Sequence, residues 1–139
     1  MKKVTRTLML LALTVALIVT GVSVGTAQSQ SDLTLCFAFQ DLETEFWVAG
    51  HRAITTSLRE QGIEVIEYNG NEDPNRQLEQ VRDCIAQGVD GIIIIPQDGD
   101  SADTIVAEAQ DSDVPIAVFN RPPNNRERGL VVVADNLTI

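Results

Sequence analysis

From Leu33 onward the chain alternates short apolar runs with longer stretches in which apolar residues recur every three or four positions. Leu33 to Phe39 predicts a first strand, with Leu33, Leu35, Phe37 and Phe39 on one face and Cys36 and Ala38 on the other. Residues from about Glu45 to Gln61 predict a helix with Ala49, Ala53 and Ile54 turned inward; Gly62 stands where a C-terminal glycine cap belongs. Ile63 to Tyr68 alternates as a half-exposed strand does, and Asn69-Gly70-Asn71 marks a turn. Asp73-Pro74 then supplies a cap and a first helical residue. The stripe of that second helix is Leu78, Val81 and Ile85, and it ends near Gly88. Gly91 to Ile95 is continuously apolar, the mark of a strand buried on both faces. A third helix follows over Ser101 to Gln110, then a fourth strand over Val114 to Phe119 and a fifth over Leu130 to Ala134.

Strands alternating with helices imply right-handed crossovers, and hence an α/β fold built on a doubly wound parallel sheet with helices on both faces. Asp135 to Ile139 reads as the opening of a further helix, one that a sheet face needs for cover. The expectation is therefore a chain truncated within its fold.

Residues 1–27 read differently. Lys2, Lys3 and Arg6 precede a 12-residue, mostly apolar stretch from Leu8 to Val19, and small residues run on to Ala27. This is the layout of a secretory signal peptide cut after Ala27, followed by a polar leader over 28–32 and the folded part over 33–139. The rival reading is an uncleaved anchor, but the stretch falls short of the roughly 20 residues a spanning helix needs. No stable membrane insertion is expected once the signal is removed. Export permits a disulfide. Cys36 on a strand and Cys84 on a helix are nevertheless expected as small buried residues, the usual state of a free cysteine.

Composition sharpens the picture. The 139 residues carry 10 Lys+Arg against 20 Asp+Glu, a net charge of −10. Three of the bases and none of the acids lie before residue 28, so the rest holds seven arginines, no lysine and a charge of −13. Such a surface repels phosphate backbones and anionic lipid, which disfavours nucleic-acid and peripheral membrane binding. With one histidine, His51, expected to be solvated in mid-helix, and no CxxC pair, neither metal nor cofactor is expected.

In open parallel sheets, ligands bind beyond the carboxyl ends of the strands. Gln40, Asp41, Glu43, Thr44, Glu45, Phe46 and Trp47 follow the first strand; Pro96, Gln97 and Asp98 the third; Asn120 and Arg121 the fourth; Asp135 and Asn136 the fifth. The first of these turns has no glycine and three acids, and neither GxGxxG nor GxxxxGK[ST] occurs, which disfavours phosphate and nucleotides. A neutral polyol fits better: Phe46 and Trp47 offer flat faces to C–H surfaces, and Asn120 and Arg121 offer in-plane hydrogen bonds to hydroxyls. Each also has a plainer reading. Phe46 and Trp47 could pack the helix on the sheet, the acids could favour a helix N-terminus, and Asp98 and Ser101 could be a turn residue and a helix cap.

These residues, in this order and spacing, resemble the N-terminal lobe of the type 1 periplasmic sugar-binding proteins of ABC transporters, the ribose, xylose and galactose group. The resemblance lies in Asp41 to Trp47, Gly88 to Pro96, Val114 to Arg121 and Ala134 to Asn136, and covers residues 33–136. It implies strand order 2-1-3-4-5, a sugar held in a cleft between two lobes that close by a hinge, delivery to a permease, and a monomer. By the same resemblance, Phe46 or Trp47 stacks on the sugar and Thr44 makes a polar contact. Asn120 and Arg121 bond the ring hydroxyls, and Asp135 is an acid near the hinge. Gln40, Asp41, Glu45 and Asp98 are weaker candidates for ligand or hinge contacts. The Asn-Arg pair mixes the Asp-Arg and Asn-Lys patterns of the group, and by the resemblance residues 33–139 are expected to supply the first lobe without the second.

A sugar-sensing input domain of a signalling protein would use the same fold, and a downstream transmembrane segment would distinguish it. A secreted hydrolase needs a nucleophile and a base; HExxH is absent and the one histidine sits in mid-helix, so no enzyme is expected.

Overall fold

A computed structural model describes residues 32–125 and 129–133. In chain order the elements are β1 (Thr34–Phe39), α1 (Glu45–Glu60), β2 (Glu64–Asn69), α2 (Pro74–Ala86), β3 (Gly91–Ile94), α3 (Gly99–Asp111), β4 (Ile116–Phe119) and β5 (Leu130–Val132). The strands form one sheet, ordered β2-β1-β3-β4-β5 and parallel throughout. The predicted fold class and strand order are both present. The signal and leader, Asp135 and the helix expected after it lie outside the described residues, apart from Asp32.

The period of two in β1 divides the core. Cys36 and Ala38 face α2 and α3 and join Val81, Cys84, Ile92, Ile94, Ile105, Val106, Ile116 and Val118. Phe37 and Phe39 face the other way, with Trp47 and Ile95, under α1. Gly62 and Gly88 hold φ of +79° and +75° just past α1 and α2, a conformation that glycine adopts without steric cost.

Four expectations are corrected. Ala49 and Ala53 are exposed; Trp47 and Thr55, with Ile54 and Leu58 half-buried, form the inward face of α1. The larger side chains win that face because they bury more apolar area. His51 is not solvated. Its ring stacks on Phe37 at 5.6 Å and edges onto Phe39 at 4.6 Å, while Nε2 meets Glu67 of β2 at 2.5 Å, and Arg59 pairs with the same carboxylate. α3 begins at Gly99, not Ser101, because Asp98 caps it and Ser101 closes a reciprocal capping box three residues on. Finally, Cys36 and Cys84 are bonded: the α2-facing side of β1 places one directly beneath the buried stripe that carries the other, with Cα atoms 6.0 Å apart.

The two sheet faces are covered unequally. Among the described residues, α2 and α3 pack together over one, whereas α1 alone stands on the other. An apolar groove of about 290 Å³ lies open beside α1, lined by Gly50, Ala53, Ile54, Ile93, Ala117 and Phe119 among others.

The disulfide joins residues 48 apart and both cysteines are fully buried. A cross-link over that span removes enough freedom from the unfolded chain to stabilise the fold by about 2–4 kcal/mol. Urea unfolding with and without prior reduction in denaturant is expected to show a loss of that size. Equal midpoints would mean that the cross-link does not form.

Candidate functional site

The rim at the carboxyl ends of the strands is built from backbone satisfaction upward. β1 ends at Phe39, and the chain turns through Gln40 and Asp41, both buried at 4% exposure. Asp41 accepts from the Glu43 N–H at 2.8 Å and so closes the turn into α1. Thr44 is the helix cap: its backbone is extended and its Oγ1 accepts from the Trp47 N–H at 3.4 Å. Glu45 sits exposed in the first turn, where a negative charge complements the helix dipole.

The two aromatic residues differ sharply. Phe46 is 62% exposed, whereas Trp47 is 9% exposed and joins the core beside Phe37 and Ile95. Their rings meet edge to face at 4.8 Å. The outer ring is thus open to solvent, while the inner one is part of the core.

Arg121 closes the rim from β4. Its guanidinium lies over the Trp47 ring, 5.4 Å from the centroid. One nitrogen, Nη1, donates to the carbonyls of Pro96 at 3.3 Å and Gln97 at 2.7 Å. Arginine carries five N–H donors in a planar fork, and among the described residues Nη2 and Nε make no hydrogen bond. Asn120 beside it holds φ of +69°, a conformation asparagine tolerates better than most residues, and its N–H donates to Val132 of β5 at 2.8 Å. Among the described residues, the Asn120 carboxamide makes no side-chain hydrogen bond, and the buried Oε1 atoms of Gln40 and Gln97 have no donor.

Of the residues singled out from sequence, Trp47 and Arg121 touch, Phe46 packs on Trp47, and Asn120 adjoins Arg121 in the chain. Thr44, Asp41 and Asp98 spend their polar atoms on turns and caps. Asp135 lies outside the described residues. A wider hollow of about 680 Å³ runs along the outer side of α1; it shares Thr44 and Glu45 with the rim but includes none of Trp47, Asn120 or Arg121.

One residue at this rim was missed from sequence. Gln77 of α2, 1% exposed, donates Nε2 to Ile95 O at 2.9 Å and accepts at Oε1 from Gln97 N–H at 3.2 Å. The available signal was its place one helical turn before Val81, a polar residue on a buried stripe.

With this geometry established, comparison with known proteins gives the family. Residues 35–139 match the model of the periplasmic binding protein domain, and the chain belongs to that family. It is 27% identical over 109 residues to the ribose import binding protein of Bacillus subtilis, covering 78% of this chain and 36% of that protein. It is 25% identical over 127 residues to the D-xylose-binding periplasmic protein of Escherichia coli, covering 91% of this chain and 37% of that one. Among solved structures, an ABC transporter solute binding protein from Bacillus halodurans with bound myo-inositol superposes with a TM-score of 0.64 at 26% identity. That match covers 70% of this chain and 34% of the other. The chain spans about a third of the length of these relatives. The family is one of binding proteins, not enzymes.

Asp98 offers a test of the loop beside Arg121. Hydrogen bonding from the Ser101 backbone N–H, then from its side chain, holds the Asp98 carboxyl below its usual value of 3.8, with a smaller pull from Arg121. A lowered folded value means that the carboxylate stabilises the fold above the ordinary aspartate range. That contribution is lost as pH falls through the folded value. Urea unfolding of the parent and of Asp98→Asn between about pH 6 and about pH 2 is expected to differ in slope, the variant lacking this acid-sensitive part. Identical slopes would show that the cap carries no charge-dependent stability.

Proposed function

We propose that the chain is the N-terminal lobe of a two-lobe solute-binding protein, exported by the signal at residues 1–27, that captures a monosaccharide or polyol in the periplasm for an ABC-type permease. The observation that carries this reading is the Arg121 guanidinium, fixed over Trp47 and bonded, among the described residues, to two backbone carbonyls and to no carboxylate.

A sugar ring has apolar C–H faces and an equator of hydroxyls. Phe46, exposed at the edge of Trp47, suits the face; the free hydrogens of Arg121 and the carboxamide of Asn120 suit neighbouring hydroxyls. Thr44 remains a candidate contact through whichever lone pair its cap leaves. A site built on such donors rejects analogues that lack a hydroxyl, since the unmatched groups stay desolvated. The relatives named for ribose and D-xylose, and the structure holding myo-inositol, share this ligand chemistry. The buried disulfide suits an oxidising compartment. In this reading the second lobe supplies the other wall of the cleft and the closing motion.

The test is thermal unfolding of the protein carrying both lobes with ribose, D-xylose and myo-inositol. A sugar present at about 100 times its Kd adds about 2.7 kcal/mol of stability and raises the Tm. Arg121→Lys, which keeps the charge and loses the planar fork, is expected to weaken binding about tenfold or more. A protein whose Tm moves with none of these, nor with a wider panel of sugars and polyols, would not be a sugar binder.

A further inference from the structure

The loop that receives Arg121 is itself held from behind. Pro96, whose carbonyl accepts from Arg121, lies between the two atoms that Gln77 grips, Ile95 O and Gln97 N, and the second acceptor, Gln97 O, follows directly. A carboxamide bonded in this way acts like a short piece of neighbouring strand, fixing both ends of the segment. Gln77 has no slack of its own. It is buried on α2, its backbone N–H donates to Asp73 O at 3.0 Å, and Asp73 caps the helix through Asn75 and Arg76.

Gly70 completes the arrangement. A Cβ placed there would lie 2.4 Å from Gln77 Cγ, a distance that the pinned side chain has no room to relieve. The same glycine donates to Phe39 O at 2.8 Å, and Glu72 donates to Gln40 O at 3.0 Å, so the turn carrying it is tied to the end of β1. Asn71 and Glu72 adopt φ of +48° and +60°, left-handed conformations that persist only where surrounding contacts determine them. The ends of β1, β2, β3 and β4 are thereby linked through Gly70, Gln77, Gln97 and Arg121.

We propose that Gln77 is a positioning residue of the binding rim: by fixing the segment from Ile95 to Gln97 it sets where Arg121 lies over Trp47. Gly70 is the residue that leaves room for it. This inference rests on the reading of Arg121 and Trp47 as part of a sugar site, and it adds a residue that touches neither aromatic ring nor guanidinium.

Trp47 is the single tryptophan of the chain, which gives a readout that needs no ligand. Acrylamide quenching of its fluorescence, measured well below the Tm, is expected to rise about twofold in Arg121→Met, where the covering guanidinium is lost. Gln77→Met and Gly70→Ala are expected to raise it similarly, although neither changes Arg121 or Trp47. Val81→Ala, a buried truncation one turn further along α2, controls for destabilisation alone and is expected to leave quenching at the parent level. In the two-lobe protein, Gln77→Met is expected to weaken binding of whichever of ribose, D-xylose or myo-inositol binds the parent by about tenfold, the scale of one hydrogen bond to a charged donor. The proposal is overturned if Gln77→Met and Gly70→Ala quench like the parent, if Val81→Ala quenches as they do, or if Arg121→Met leaves Trp47 unchanged. Should Gln77→Met fail to fold, Gly70→Ala decides the outcome, since its backbone needs no left-handed conformation. A parent that binds no sugar refutes the sugar reading, whereas the quenching series judges the positioning role separately.

Discussion

Everything in this fold hangs on the two-sided pairing of β1. Its backbone is bonded to β2 along one edge and to β3 along the other, so no edge of it faces water. Its side chains alternate into two separate cores, Cys36 and Ala38 toward α2 and α3, Phe37 and Phe39 toward α1. The fully buried stretch of the strand, Cys36 to Phe39, carries no charged or amide side chain, and polar residues follow directly where it stops. The first residues past Phe39 are Gln40 and Asp41, buried but polar, and from there the chain turns into the helix that carries Phe46 and Trp47. The rim is thus the necessary end of an enclosed strand.

The same enclosure explains how the rim is held together. Each strand ends in a loop that must satisfy its freed backbone groups without a neighbouring strand. Here side chains do that work: Asp41 closes the first loop, Asn69 and Asp73 the second, Gln77 and Arg121 the third. A loop satisfied by a side chain from another element cannot move without it. Arg121 therefore has two duties in one geometry, completing the loop after β3 with Nη1 and presenting its other hydrogens beside Trp47.

How much of this was legible follows from how local each signal is. The alternation in β1, the cap-proline pair at Asp73-Pro74 and the glycines at 62 and 88 are properties of a few adjacent residues, and the structure keeps all of them. The inward face of α1 was misread because Ala49 and Ala53 are small enough to stand on either side, and Trp47 and Thr55 decide the matter only once the sheet is in place. The disulfide leaves no trace in a spacing of 48; it follows from which face of β1 lies under α2. Gln77 was passed over because a glutamine on a helix reads as solvated until its two backbone partners, some 20 residues on, are brought to it.

Charge supplies the last step. In a chain this acidic, an arginine at a candidate site would ordinarily be neutralised by a carboxylate. Two exposed arginines are held this way: Arg82 pairs with Glu79 and Glu108, and Arg59 with Glu67. Arg121 instead rests on carbonyls and an indole face, which orient it without cancelling its charge. Asp98 is near enough to be drawn below its usual value by Arg121, yet its strongest bonds go to Ser101. The guanidinium is therefore held as a charged, directed donor within a field that repels anions, an arrangement suited to a neutral ligand with many hydroxyl acceptors and unsuited to a phosphate.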